Sequence, residues 1–235
     1  LIHRGYHAIP VLNTKSGEQT NAVYGFTLIL LKAIKDIKPT YIACTFDLAG
    51  PTFRHEQYKE YKAHRVKADQ ELYDQIPRGK EVVRALNIPI FEKQGFEADD
   101  VLGTLALHIH KHHQRAEVLI ATGDLDTLQL VNRKIKVYTM RKGITDTVIY
   151  DEKAVRERYG LLPSQMVDFK ALRGDPSDNI PGVKGIGEKT ASELIKEFGS
   201  IDKLYAEIQN PKSKIQIKPR ILELLESQEK EARMS

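Results

Sequence analysis

Apolar side chains recur at helical spacing over residues 21–35, with Val23, Phe26, Leu30, Ala33 and Ile34 on one face, and Lys38-Pro39 ends the run. Residues 41–46 form an unbroken β-branched and aromatic stretch, which predicts a buried strand that delivers Asp47 at its end. A short second strand is expected over 88–91. Val101, Leu102, Leu105, Ala106 and Ile109 give 97–110 the spacing of a helix. Residues 118–122 read as another buried strand ending in Gly123-Asp124, with a short helix over 126–130 and a further strand over 135–139. Strands alternating with helices predict an α/β layer with a largely parallel sheet.

After about Asp151 the strand signals stop. Helical spacing fills 154–159, 163–172, 189–198, 201–208 and 219–229, punctuated by Gly160, Gly199 and Asn210-Pro211. The expected organisation is therefore a sheet domain over 1–150 and an all-helical module over 151–235. Residues 53–80 fit neither pattern. Arg54, Lys59, Lys62, Arg65, Lys67, Arg78 and Lys80 interleave there with Tyr58, Tyr61 and Tyr73, and the core signal is poor. Taken alone this is a solvated helical excursion. Its place directly after the strand that ends in Asp47 makes it a candidate nucleic-acid contact.

Composition narrows the classes. The chain has 235 residues, 41% hydrophobic and 29% charged, as in ordinary globular proteins. No apolar run reaches the length of a membrane span. The single cysteine, Cys44, excludes an internal disulfide framework and a thiolate zinc site, and its strand setting predicts a core thiol. A net charge of +4 is compatible with a polyanionic partner without demonstrating one.

The acids carry more information. Asp47 follows one strand, Asp124 and Asp126 follow another, Glu97, Asp99 and Asp100 open a helix, and Asp175 and Asp178 stand three residues apart in a loop. Each group has an ordinary explanation as helix-dipole complement, N-cap or turn former. In an open parallel sheet, however, strand C-termini share one edge, where ligands bind. Eight carboxylates from four segments would converge there and repel unless cations neutralise them. Mg²⁺ or Mn²⁺ suits such oxygen donors, and the acid count predicts two ions, which roughly 4 Å apart can serve phosphodiester hydrolysis.

Gly182 to Thr190 approaches a P-loop, but Glu188 stands where the lysine should follow the second glycine, and no strand precedes it. A helix-hairpin-helix turn fits better, its glycines letting the backbone approach a phosphate and its following helix favouring the anion. Lys184 and Lys189 add charge, and such contacts carry no base specificity.

Phe46-Asp47, Phe53-Arg54-His55-Glu56, Glu97-Ala98-Asp99-Asp100, Gly123-Asp124-Leu125-Asp126 and the run from Gly174-Asp175-Pro176-Ser177-Asp178 to Gly187 occur in the order of the 5′-nuclease (flap endonuclease-like) family. The resemblance covers nearly the whole chain and is strongest to the 5′–3′ exonuclease domains of bacterial DNA polymerase I. It implies a PIN-like domain with a helical arch at about 53–80, then a helix-three-turn-helix module. It also implies two-metal cleavage of DNA at 5′ flaps, nicks or ends, with RNA primer strands as further substrates, in a cytoplasmic, nucleoid-associated bacterial monomer that can be fused to a polymerase domain.

By the same resemblance, Asp47, Glu97 and Asp99 bind the first Mg²⁺, with Asp100 beside it, and Asp124, Asp126, Asp175 and Asp178 bind the second. Mn²⁺ is expected to substitute. Lys62 and Arg65 match basic arch residues near the scissile phosphate, and Arg54 a phosphate contact, with Lys59 nearby. Gly182, Lys184, Gly185, Gly187, Lys189 and Thr190 match the duplex-gripping hairpin, where the family holds a K⁺ on backbone carbonyls. The family pattern opens with a hydrophobic strand ending in Asp-Gly ahead of the residues matching Leu1 to His7, and the numbered sequence starts after it. Clipping is the expectation, and the end at Ser235 also reads as cut within a helix. Only if the protein truly began at Leu1 would weaker metal binding and an association-prone sheet edge be expected. Two other functions compete with nuclease: a DNA-binding scaffold with an impaired centre, and a PIN-type ribonuclease, which would need neither arch nor hairpin.

Overall fold

Helix α1, Ile2–Ala8, crosses α2, Asn21–Ile37, so closely that a Cβ on Gly5 would lie 2.6 Å from the Phe26 amide, and one on Gly25 2.6 Å from the Gly5 Cα. α2 ends at Lys38, which takes the left-handed conformation ahead of Pro39. The computed structural model describes residues 1–210 and 216–235. Pro211, half of an expected punctuation pair, lies outside the described residues. The chain forms two compact units: residues 1–53, 66–127 and 133–150 make the first, and 54–65, 128–132 and 151–235 the second.

In the first unit β1, Cys44–Thr45, follows α2, and α3, Phe53–Gln57, begins at its border. α4, Gln70–Ala85, buries Leu72, Gln75, Gly79 and Val83. The Gln75 carboxamide oxygen accepts the Ala22 amide at 2.8 Å and so satisfies the first turn of α2. The basic residues of 53–80 hid this core helix, whose apolar positions are diluted by charge. β2, Ile90–Phe91, precedes α5, Ala98–His112. β3, Val118–Ala121, leads through a 3₁₀ turn, Leu125–Leu130, to β4, Ile135–Lys142, and β5, Asp146–Tyr150.

β1 pairs in parallel with β2, β3 in parallel with β4, and β4 in antiparallel with β5. β5 was legible as the alternating run Thr147 to Tyr150 after Gly143, and the strand reading passed over it. Phe26, Leu30, Val83 and Ile88 form the core, with Cys44 packed against it. Burial pushes the Cys44 thiol up to about 11, as befits a packing residue rather than a nucleophile.

The sheet comes in two pieces. β1 and β3 do not pair, and a cleft of about 2070 Å³ is lined by Ile42, Phe46, Leu105 and Leu119 along its length and by Asp47, Asp99 and Asp124. With one neighbour only, the strand expected over 41–46 shrinks to two ladder residues, and Tyr41 is 91% exposed where a buried residue was expected.

The second unit is helical: α6, Glu152–Tyr159, α7, Met166–Arg173, α8, Glu188–Phe198, α9, Ile201–Gln209, α10, Pro219–Ser227, and α11, Glu229–Met234. Phe169, Leu172, Ile195, Leu204, Tyr205 and Leu225 are among its fully buried side chains. Asp151 caps α6 by accepting the Ala154 amide, and Ser200 caps α9 through the Lys203 amide. Among the described residues no helix is long and apolar enough to cross a membrane.

Candidate metal centre and nucleic-acid interface

The first unit gathers acids around the N-terminus of α5. Glu97 is the N-cap, and its amide donates to Asp100 Oδ2 at 2.9 Å in a capping box. Asp100 is thereby engaged locally. The next amide, of Ala98, donates to Asp47 Oδ1 at 2.7 Å, so the helix terminus anchors the acid that follows β1. After β3, Asp124 Oδ1 accepts the Asp126 amide at 2.8 Å. Its backbone is pinned on both sides, by Thr122 Oγ1 accepting its amide and Thr127 Oγ1 donating to its carbonyl.

Burial first, then the charges of Asp124, Asp47 and Glu97, push the Asp99 carboxyl up to about 6. Four acids thus feel one another, and hard oxygen donors with excess negative charge suit a divalent cation. Among the described residues no three such side chains already stand in ligand positions around a common point. The donor chemistry and charge of these acids nonetheless fit a metal.

A sign follows for stability. The folded state binds the Asp99 proton more tightly than the unfolded chain, so metal-free stability falls as pH rises from about 4 through about 6. Packed atoms crowd the Asp99 carboxyl while the residue as a whole keeps solvent contact, and the screening that this contact allows limits the effect to about 1 kcal/mol. Thermal melts in chelator are expected to show Asp99→Asn gaining on the parent across that window. A gain that is flat in pH, or a loss, refutes the coupling.

The second unit holds Asp175 and Asp178 in a tight loop. Asp175 and Ile180 bridge through both backbone bonds, 2.8 and 2.9 Å, and Asn179 takes a left-handed turn at φ 59°. Burial alone would raise the Asp175 carboxyl, but Lys170 and Ser177 hold it below the usual carboxylate range. Asp178 faces the arch segment 54–65 of the same unit. Arg65 Nη2 donates to its Oδ1 at 2.7 Å, Tyr61 Oη donates to Oδ2 at 3.2 Å, and Lys62 Nζ lies 3.8 Å from Oδ2. The Lys62 amide donates to the Asp178 carbonyl at 2.9 Å, and Asn179 Nδ2 to the Glu60 carbonyl at 2.7 Å.

Sequence reasoning named Lys62, Arg65 and Asp178 but did not pair them. It passed over Lys170, and it named Tyr61 and Asn179 without giving either a partner. Lys170 was legible, as a basic residue in the last helical turn before Asp175.

The hairpin divides its labour. Gly182 is buried, with φ 59°, and its amide donates to Ser235 Oγ at 3.0 Å. This corrects the expectation of a direct phosphate contact there, because both its space and its donor are used internally. The Lys184 amide donates to Gln228 Oε1 at 2.8 Å, and Gln228 Nε2 donates to the Lys184 carbonyl at 3.2 Å, so one side chain clamps the turn. Lys184, Gly185, Gly187 and Lys189 are exposed, and Thr190 is half-buried. Gly187 is the N-cap of α8 and offers no side-chain acceptor, which leaves that helix start suited to an anion, although Glu188 follows it. Arg54 and Lys59 belong to the arch segment of this unit, Arg54 half-buried and Lys59 exposed.

Comparisons with known proteins agree with this anatomy. Residues 1–160 match the family profile "5'-3' exonuclease, N-terminal resolvase-like domain", and residues 161–235 match "5'-3' exonuclease, C-terminal SAM fold". DNA polymerase I of Bacillus caldotenax is 45% identical over 210 residues, covering 89% of this chain and 24% of that protein. The chain thus spans about a quarter of the length of the curated relatives it matches. Among solved structures, T5 5′-exonuclease with bound zinc superposes with a TM-score of 0.75 at 22% identity, over 90% of this chain and 78% of that one. A pseudo-enzyme-product complex of the bacteriophage T5 flap endonuclease with DNA and metal ions gives 0.73 at 23% identity, over 90% and 77%. At these identities the structures attest the fold: a PIN-like α/β unit with a mostly parallel sheet, and a helical C-terminal unit.

Proposed function

The chain belongs to the 5′–3′ exonuclease family, and from that premise we propose that it hydrolyses DNA phosphodiesters at 5′ flaps, nicks and 5′ ends, in replication and repair, with Mg²⁺ as its natural ion. The observation that carries the reading is the gathering of Asp47, Glu97 and Asp124 about Asp99, whose carboxyl is pushed up to about 6 by burial first and by these charges second, which leaves the first unit with charge for a cation to neutralise. Those acids would hold metal in the first unit, with Asp126 beside Asp124, and Asp175 and Asp178 would hold it in the second. A bound divalent ion supplies an activated water and offsets charge on the leaving oxygen.

The chain's own residues do the rest. Lys62 and Arg65 present cations to the scissile phosphate, with Arg54 and Lys59 along the arch. The exposed turn at Lys184, Gly185 and Gly187, with Lys189 and Thr190, grips duplex phosphates and tolerates a K⁺ on its carbonyls. Neither element reads bases, so structure rather than sequence selects the substrate.

Matched DNA and RNA flaps of one sequence test the reading. Cleavage of the DNA flap is expected to vanish in chelator and return with Mg²⁺ or Mn²⁺. Preference for the RNA flap would establish the ribonuclease reading, and tight flap binding without cleavage in either ion would establish the scaffold.

A further inference from the structure

The acids of the two units are neutralised differently. In the first unit Asp99 is surrounded by other carboxylates. In the second, protein cations already sit on both acids: Lys170 donates to Asp175 Oδ2, Arg65 donates to Asp178 Oδ1, and Lys62 stands at Asp178 Oδ2. Ser177 donates to the remaining Asp175 oxygen through both its amide and its hydroxyl, at 2.9 and 2.7 Å. The side chains of Asp175 and Asp178 are 17% and 18% exposed, so each acid is largely sheltered, although Arg65 itself reaches into solvent.

The arch is built to hold this arrangement. Lys62 takes φ 56°, a left-handed conformation that a non-glycine residue adopts at a cost, and its amide bond to the Asp178 carbonyl keeps it there. Tyr61 is buried, and its hydroxyl bonds Asp178 while its ring carries the Lys62 ammonium 4.8 Å from the centroid and meets His55 edge-on. Arg65 adds a second anchor through Nε to the Ser177 carbonyl at 3.3 Å.

We propose that Lys170, Lys62 and Arg65 are surrogate counter-ions of the Asp175–Asp178 pair, and that a divalent cation loading there expels them, so that the arch releases Asp178 only when metal is bound. A metal ion on Asp178 would stand close to the guanidinium that Oδ1 accepts at 2.7 Å, and two cations at such a separation repel, so the two compete. The freed Lys62 and Arg65 become available to a substrate phosphate at the moment metal arrives. Arch engagement and metal loading are then one exchange, and Lys170 is a positioning residue for Asp175. The inference rests on the reading that Asp175 and Asp178 are metal ligands.

Mn²⁺ alone, titrated into the full chain and followed by electron paramagnetic resonance, separates the two claims. Asp178→Asn tests the ligand reading and is expected to lose one bound ion. Arg65→Gln tests the exchange and is expected to tighten that ion about tenfold, as is Lys170→Met. Hydrogen exchange of segment 54–65 supplies a readout that metal affinity does not move. The amides near Lys62 should exchange faster when Mn²⁺ is added to the parent, and fast without it in Asp178→Asn. Loss of an ion in Asp178→Asn with unchanged Mn²⁺ affinity in both Arg65→Gln and Lys170→Met overturns the exchange and leaves the ligand reading standing. Retention of every ion in Asp178→Asn overturns both.

Discussion

Replacing Asp124 by alanine is expected to lower cleavage of a 5′-flap DNA by at least about a thousandfold at saturating Mg²⁺, with the fold intact. A metal ion that activates water and offsets developing charge contributes several kcal/mol, and each 1.36 kcal/mol is a decade of rate. Asp124 is fixed for that task by its neighbours rather than by its own side chain. Thr122 and Thr127 hold its backbone, and its Oδ1 takes the Asp126 amide. Truncation therefore removes the proposed ligand and one turn bond, and no packing. It also removes a like charge from beside Asp99, so the metal-free variant is expected to melt no more than about 1 kcal/mol below the parent, turn bond and repulsion partly cancelling. Single-turnover cleavage with a parallel melt checks both halves. Full activity sinks the metal role given to Asp124, and collapse of the melt moves the loss from chemistry to folding.

Much of this was legible in the residues. Helical spacing identified α2 and α5 to within two residues at each end, although only α2 buries its apolar stripe; on α5 Gly103 and Ala106 are buried, and Leu102, Leu105 and Ile109 line the cleft. Carboxylates at strand ends pointed to a shared edge, and the structure brings Asp47, Glu97, Asp99 and Asp124 within electrostatic reach of one another. What stayed hidden has physical causes. α4 packs through Leu72, Gln75, Gly79 and Val83, of which two are not hydrophobic by type, so its periodicity was faint. The ion pairs on Asp178 join residues more than a hundred positions apart, and no local pattern encodes such a contact.

The glycines of the hairpin can be told apart by experiment, because each is small for a different reason. At Gly182 a Cβ would lie 2.2 Å from the Gly174 amide nitrogen and 2.6 Å from the Arg173 carbonyl carbon, at a φ of 59°. Backbone cannot yield as a side chain does, so Gly182→Ala combines a steric clash with a left-handed penalty and is expected to cost about 3 kcal/mol or more. The loop it displaces carries Asp175 and Asp178 on one side and Lys184 on the other, so duplex affinity should fall with the melt. Gly187 is the contrast. It has φ −91°, ordinary for any residue, and a Cβ there meets nothing within 4 Å of its own chain. Gly187→Ala should therefore cost at most about 1 kcal/mol, the N-cap preference alone. If the glycine serves the close approach of a phosphate to the start of α8, duplex binding by fluorescence anisotropy should still weaken about tenfold, and the melt should hardly move. Parent-like affinity in Gly187→Ala would show that no phosphate comes that near, and a parent-like melt in Gly182→Ala would show that the crossing with Gly174 is looser than its distances require.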